Sequence, residues 1–374
     1  MHPRVVFFMS DLEVGGLQRH AIGLAEQLRR RGWFAHIVVG RDNISPNLTA
    51  HMAPSDFTLL RERRRMLDPR SWPRQWRTVS AFRPDVVVGV GQMPIDLLAM
   101  WKSLGKLDAG LACTFGTTIP RPRDWMRRPL FAWALKRTDS LVYCSRLQAD
   151  FWKRKRIGSK NDIVIYNGVD TDQFRPATPE ERLAGRRELG LSAEDLVFGL
   201  IGAFRPEKNH MQLVDAVRRL REGGLPAKAV FIGGGATRSA VQEGANALGL
   251  ADHVVFAGEH SDVRRFIHAL DVGVLCSVAV ETFSIAALEL MASGVPMVHS
   301  RLGGAAELID DGRDGRIFEI GNTDQLVDVL SSFNDGEYRK TMSGRARDKV
   351  IRRFGLDGMV DQYVELFQTI GRKG

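Results

Sequence analysis

Residues 272–299 read VGVLCSVAVETFSIAALELMASGVPMVH, and the order of patterns inside them decides the fold class. Val272–Leu275 is a short apolar run. A helical period opens at about Ser284 and carries Glu289 inside it, and Val295–His299 is apolar again. A strand, a loop, a helix and a second strand in that order argue for a βαβ unit in a parallel sheet covered on both faces.

The same alternation extends in both directions. Earlier strand-like runs are Val5–Met9, His36–Val39, Val86–Val90, Leu111–Thr114, Leu141–Tyr143 and Ile163–Ile165. Leu17–Arg31 lies between the first two, with Ile22, Leu24, Ala25 and Leu28 on one helical face. The second half adds Leu196–Ile201, Ala229–Ile232 and Val254–Ala257, with helical stretches Asn209–Arg221, Arg238–Leu248 and Asp262–Leu270. The reading is α/β: two Rossmann-like, doubly wound domains facing a central cleft, with a seam near Asn167-Gly168-Val169-Asp170. The expected divisions are 1–170, 171–353 and a C-terminal helix within 354–374. In such sheets ligands bind outside the carboxyl ends of the strands, so chemistry is sought there.

Composition agrees with a folded, two-domain chain: 374 residues, 44% hydrophobic and 26% charged. The net charge of +9 is uneven. Residues 1–166 hold 28 basic and 14 acidic side chains, a balance of +14, and the remainder carries −5. One half is therefore expected to face something anionic. Cys113, Cys144 and Cys276 are far apart and lack metal-ligand spacing, which favours a reducing compartment. No signal-peptide pattern and no apolar stretch of about 18 residues is present, so a cytoplasmic location is expected.

The segment Glu281-Thr-Phe-Ser-Ile-Ala-Ala-Leu-Glu289 carries the most chemistry. Thr282 or Ser284 would cap the helix. The amides of Phe283, Ser284 and Ile285 would then face the strand end, where unpaired N–H groups and the helix dipole suit a phosphate. Glu281 precedes the helix and Glu289 lies within it, so the two carboxylates can reach different parts of one ligand. Gly202-Ala-Phe-Arg205-Pro-Glu-Lys208-Asn209 follows the first strand of the second half and supplies a basic pair at the same sheet end. Gly303-Gly304-Ala-Ala-Glu307 adds a second tight loop there. In the first half, Glu13-Val-Gly15-Gly16-Leu-Gln18 links the first strand to the first helix, either to admit a ligand closely or to make a turn needing positive φ.

These motifs, with Asn167-Gly-Val-Asp170-Thr-Asp-Gln-Phe174, resemble in order and spacing the retaining glycosyltransferases of family 4. The resemblance spans nearly the whole chain. It implies the GT-B fold, with nucleotide-sugar in the C-terminal domain, acceptor in the N-terminal one, and a final helix, about Leu356–Ile370, crossing back to the first. By position, Glu289 would bind ribose hydroxyls, Glu281 the donor sugar, and the Phe283–Ile285 amides the pyrophosphate. Arg205 and Lys208 would stabilise that pyrophosphate as the glycosidic bond breaks, and Gly16 would close on it. Glu259 and His260 would lie near the base. Catalysis is assigned to Glu281, Lys208 and Arg205. No metal or other cofactor is expected, and the donor is UDP-linked ahead of GDP-linked.

Two departures matter. Ala203 stands where many members place Arg, and Thr114-Phe-Gly116-Thr-Thr118 lacks the acceptor-side His. Asp170-Thr-Asp172 matches a metal-binding D-x-D of another glycosyltransferase class but lies away from the donor motifs. In the basic half, Arg61–Arg65, Arg121–Arg128 and Lys153–Arg156 have Trp72, Trp76, Trp125 and Trp152 near them in sequence. That pairing suits an anionic membrane surface, or else a solvated face with core Trp. No nucleic-acid motif accompanies the charge. The expected activity is sugar transfer to a cell-envelope glycan or lipid-linked acceptor, as in polysaccharide or lipopolysaccharide synthesis. The alternatives are an epimerase or phosphorylase of the same fold, or a non-catalytic membrane- or nucleic-acid-binding module. Oligomeric state is not legible.

Overall fold

The structure is a computed structural model that describes residues 2–13, 15–41, 43–45, 52–61, 68–116 and 128–371. The chain divides into two compact units, Met1–Tyr166 with Gly358–Gly374, and Asn167–Asp357. The basic runs at 62–65 and 121–127, including Trp125, and residues 117 and 118 lie outside the described residues.

The first unit contains a parallel sheet of β1 (Arg4–Met9), β2 (Phe34–Val39), β3 (Phe57–Leu59), β4 (Val86–Val90), β5 (Gly110–Thr114), β6 (Ser140–Tyr143) and β7 (Asp162–Val164). Their order is β3-β2-β1-β4-β5-β6-β7. The second holds β8 (Leu196–Ile201), β9 (Ala227–Ile232), β10 (Val254–Gly258), β11 (Val272–Leu275), β12 (Met297–Ser300) and β13 (Gly315–Phe318), ordered β10-β9-β8-β11-β12-β13. Strands buried on both faces read as continuous apolar runs, as in Val86–Val90 and Leu196–Ile201. Each sheet reverses its strand order once, between β1 and β4 and between β8 and β11. The carboxyl ends at such a reversal leave a crevice for a ligand.

Sequence patterning missed β3 and β13, because Thr58 and Arg316 interrupt their apolar runs and leave too little to read as a strand. The expected strand Val295–His299 begins two residues later. Gly294 has φ +74° and the Val295 N–H still bonds the Leu290 carbonyl at 2.9 Å, so 294–295 finish the preceding helix. The helix expected over Asp262–Leu270 contracts to Arg264–Ile267.

The final helix spans Leu356–Ile370, and from Gly358 onward it belongs to the first unit. There Tyr363 Oη lies 3.0 Å from His20 Nε2, Phe367 packs against Trp33, and Asp361 pairs with Arg31. Trp152 is 5% exposed and meets Phe115 edge-to-face at 5.1 Å, so it is core. Trp72 and Trp76 also pack against this core. No helix among the described residues is long and apolar enough to cross a membrane.

Candidate active site

The crevice between β8 and β11 receives two loops, and backbone bonds draw them together. After β8 the chain forms a single 3₁₀ turn, Pro206–Lys208. After β11 it runs through Ser277 and Val278, whose N–H donates to the Glu207 carbonyl at 2.9 Å. This tie brings Lys208 Nζ to 2.5 Å from Glu281 Oε2, and Ser277 Oγ donates to the same oxygen at 3.1 Å. The two charged side chains are 20% and 10% exposed. Among the described residues, no hydrogen bond reaches Oε1. Burial acts to raise the Glu281 carboxyl, yet the Lys208 ammonium and the bonds to Oε2 hold it below the usual carboxylate range.

Three residues beyond Glu281, Ser284 takes the N-cap position of the helix Ile285–Ala292, and its Oγ accepts the Ala287 N–H at 3.2 Å. Of the two caps proposed from sequence, Ser284 is the one used. Asn167 Nδ2 donates to the Phe283 carbonyl at 2.8 Å. In a trans peptide the N–H points opposite to the C=O, so this grip also aims the Ser284 N–H. Glu289 lies in the helix at 8% exposure, so it is a buried carboxylate rather than a surface one.

The loop at Glu281–Ser284 is backed by glycine. Gly303 has φ +58°, and a Cβ there would sit 1.8 Å from the Glu281 carbonyl oxygen, while the Gly304 N–H donates to the Thr282 carbonyl at 2.7 Å. An equivalent arrangement supports the β8 loop. A Cβ on Gly233 would fall 2.1 Å from the Gly202 carbonyl oxygen, and the Phe204 N–H bonds the Gly234 carbonyl at 2.8 Å. The Gly233-Gly234-Gly235 run at the end of β9 was readable as a strand-end glycine loop but was not singled out. Beneath Phe204, His210 stacks at 4.1 Å between centroids with both ring nitrogens lacking hydrogen bonds. Burial and the neighbouring Lys208 lower its pKa to about 4, so it is a neutral core ring.

The remaining candidates are less convergent. Arg205 is exposed, and its guanidinium makes no hydrogen bond or ion pair among the described residues, while its backbone carbonyl accepts the Lys208 N–H at 3.0 Å. Glu259 lies against Gly234, where a Cβ would meet Oε2 at 2.7 Å. His260 Nε2 bonds the Ala257 carbonyl at 2.7 Å and its ring packs on Phe266. Gly16 is the first residue of the helix Gly16–Arg30 in the first unit. Neither Gly15 nor Gly16 has positive φ, so the turn explanation for that pair fails. Asp170 is a turn residue: Oδ1 accepts the N–H groups of Asp172 and Gln173 at 3.0 and 2.9 Å. Among the described residues, no group of three or more His, Cys, Asp or Glu is arranged to hold a metal ion.

Two family models match in succession, Glycosyltransferase Family 4 over residues 14–173 and Glycosyl transferases group 1 over residues 182–349. The putative glycosyltransferase EpsD of Bacillus subtilis is 31% identical over 251 residues, 66% of this chain and 65% of that one. The UDP-Gal:alpha-D-GlcNAc-diphosphoundecaprenol alpha-1,3-galactosyltransferase of Escherichia coli is 28% identical over 207 residues, 54% and 53% of the two chains. The chain thus spans a little over half to about two thirds of the length of these curated relatives. Anabaena HepE in complex with UDP shares the fold at TM-score 0.85 and 20% identity, covering 98% of this chain and 100% of that one. Matched one after the other along the sequence, and joined to two parallel sheets of this topology, these models make the chain a member of glycosyltransferase family 4.

Proposed function

We propose that this chain is a retaining, metal-independent glycosyltransferase that moves a sugar from a nucleotide donor, UDP-linked ahead of GDP-linked, to a cell-envelope glycan or lipid-linked acceptor. The observation that carries the reading is the Lys208–Glu281 pair at the β8/β11 crevice, beside the capped N-terminus of Ile285–Ala292. Breaking a sugar–diphosphate bond places negative charge on the β-phosphate, and preorganised positive groups lower that barrier. Lys208 and the amides of Phe283–Ile285 supply such groups, with Arg205 as a second cation. Glu281 keeps Oε1 for a sugar hydroxyl, and Glu289 takes the ribose. Attack on the same face as departure, with the leaving phosphate accepting the acceptor's proton, needs no protein nucleophile. Glu259 and His260 are assigned to the base side. Several solved relatives are complexes with UDP, and the name of another relative gives a UDP-Gal donor and a GlcNAc-diphosphoundecaprenol acceptor.

The acceptor side is assigned to the basic first unit. Leu130 and Leu147 are 43% and 42% exposed, and Leu147 lies between Arg146 and Lys153 in one helix, which suits contact with anionic lipid. Isothermal titration with UDP and GDP, followed by a nucleotide-sugar transfer screen with and without EDTA, tests the reading. Binding and EDTA-insensitive transfer with retained anomeric configuration are expected. Absence of nucleotide binding would sink it. Sedimentation with phosphatidylglycerol vesicles tests the lipid contact, and equal recovery with phosphatidylcholine refutes it.

A further inference from the structure

Behind Glu281 lies a buried polar relay that the donor chemistry does not itself require. His299 sits on β12 opposite Leu275 of β11, at the same carboxyl edge as the site, and is 1% exposed. Its Nδ1 is 2.7 Å from the Ser300 carbonyl oxygen. A carbonyl can only accept, so Nδ1 carries the proton and Nε2 the lone pair of the neutral ring. Ser300 Oγ donates to the Ser277 carbonyl at 2.7 Å, and Ser277 Oγ donates to Glu281 Oε2 at 3.1 Å. Ser277 and Ser300 are both fully buried. The charges that face the imidazole are those of Glu281 and Lys208, and burial keeps the ring neutral.

We propose that His299 is a positioning residue for Glu281: it fixes the end of β12, so that Ser300 holds Ser277 and Ser277 holds the carboxylate with Oε1 presented to the donor sugar. Lys208 cannot serve this purpose alone, because the same ammonium is assigned to the diphosphate. Ser277 is the other bond that keeps Oε2 in place, and its backbone is set through Ser300. The inference rests on the proposed function, in which Glu281 meets the sugar and Glu289 the nucleoside.

The test compares His299→Ala, Ser300→Ala and His299→Asn in the full chain, titrated with UDP and with UDP-glucose, and assayed for release of UDP from UDP-glucose. Asn keeps an N–H donor at the place of Nδ1. Both Ala variants are expected to hold UDP within about twofold of wild type. They should lose about tenfold in turnover and in the affinity that the glucosyl group adds, as for a displaced active-site group. His299→Asn should return both to within about threefold. Asn behaving like Ala would overturn the proposal, as would UDP affinity falling in step with the glucosyl contribution, which marks a merely structural role. Ser300→Ala is the smaller change and keeps the relay testable should His299→Ala fail to fold. Wild-type protein that binds neither UDP nor UDP-glucose overturns the functional reading and this proposal together. Binding and turnover by wild type with unaffected variants overturns only the role of His299.

Discussion

Replacing Lys208 by Met keeps the unbranched stem, one atom shorter, and removes the charged Nζ, leaving Glu281 Oε2 with Ser277 as its remaining hydrogen-bond partner. Breaking a fully buried ion pair from one side costs about 3–5 kcal/mol. Lys208 retains 20% exposure and the Ser277 bond survives, so a loss of about 2–3 kcal/mol is expected at pH 7.5. The pH dependence is more diagnostic. In the wild type the Glu281 carboxyl lies below its ordinary value, so its stabilisation is present above the unfolded value of about 4.3 and lost as pH falls through the folded one. Without Lys208, burial dominates and pushes the carboxyl above that value. The folded variant then binds the proton more tightly, and its deficit shrinks as pH falls toward 5. Urea unfolding at pH 7.5 and 5 should show the penalty falling to about 1 kcal/mol, since each unit of pKa is worth about 1.4 kcal/mol. Adding Glu281→Gln should recover more than half of the loss at pH 7.5. A penalty independent of pH, with no recovery in the double variant, would refute the claim that an uncompensated buried carboxylate causes it.

Three further outcomes follow from the same geometry. Gly303→Ala places a Cβ against the Glu281 carbonyl in a backbone region costly for L-residues, and titration should show UDP-glucose affinity reduced at least about tenfold. Glu289→Ala should weaken UDP itself by about tenfold or more in isothermal titration, the loss of a charged hydrogen-bond acceptor. Ser284→Ala removes an N-cap and should lower stability by about 1 kcal/mol in urea unfolding, with helix content unchanged by circular dichroism.

Legibility differed by range. The β8 and β11 loops could be read because glycine, proline and charge cluster where an apolar run stops, and a parallel sheet sends every such stop to one edge. The pairing of Lys208 with Glu281 could not, since it depends on the Val278–Glu207 backbone bond between segments some 70 residues apart. Asn167 was seen only as part of an interdomain segment, and nothing local announces that its amide grips Phe283. Nothing local marks His299, because a strand residue's partners lie on neighbouring strands. Of the two readings left open for the tryptophans, the core one holds for Trp152. Trp152 sits beside Lys153 in sequence, yet helical geometry turns the ring inward and the cation outward.

The joined Lys208 and Glu281 side chains also set what the crevice ignores. Their charges cancel, so the resting pocket offers small inorganic anions little net attraction at that point, however basic the motif looks in sequence. A free phosphate or sulfate has no sugar hydroxyl with which to engage Glu281 while it draws on the ammonium. A nucleotide-sugar, the proposed donor, has both, and on that proposal admission is governed by the whole shape of the molecule rather than by its charge.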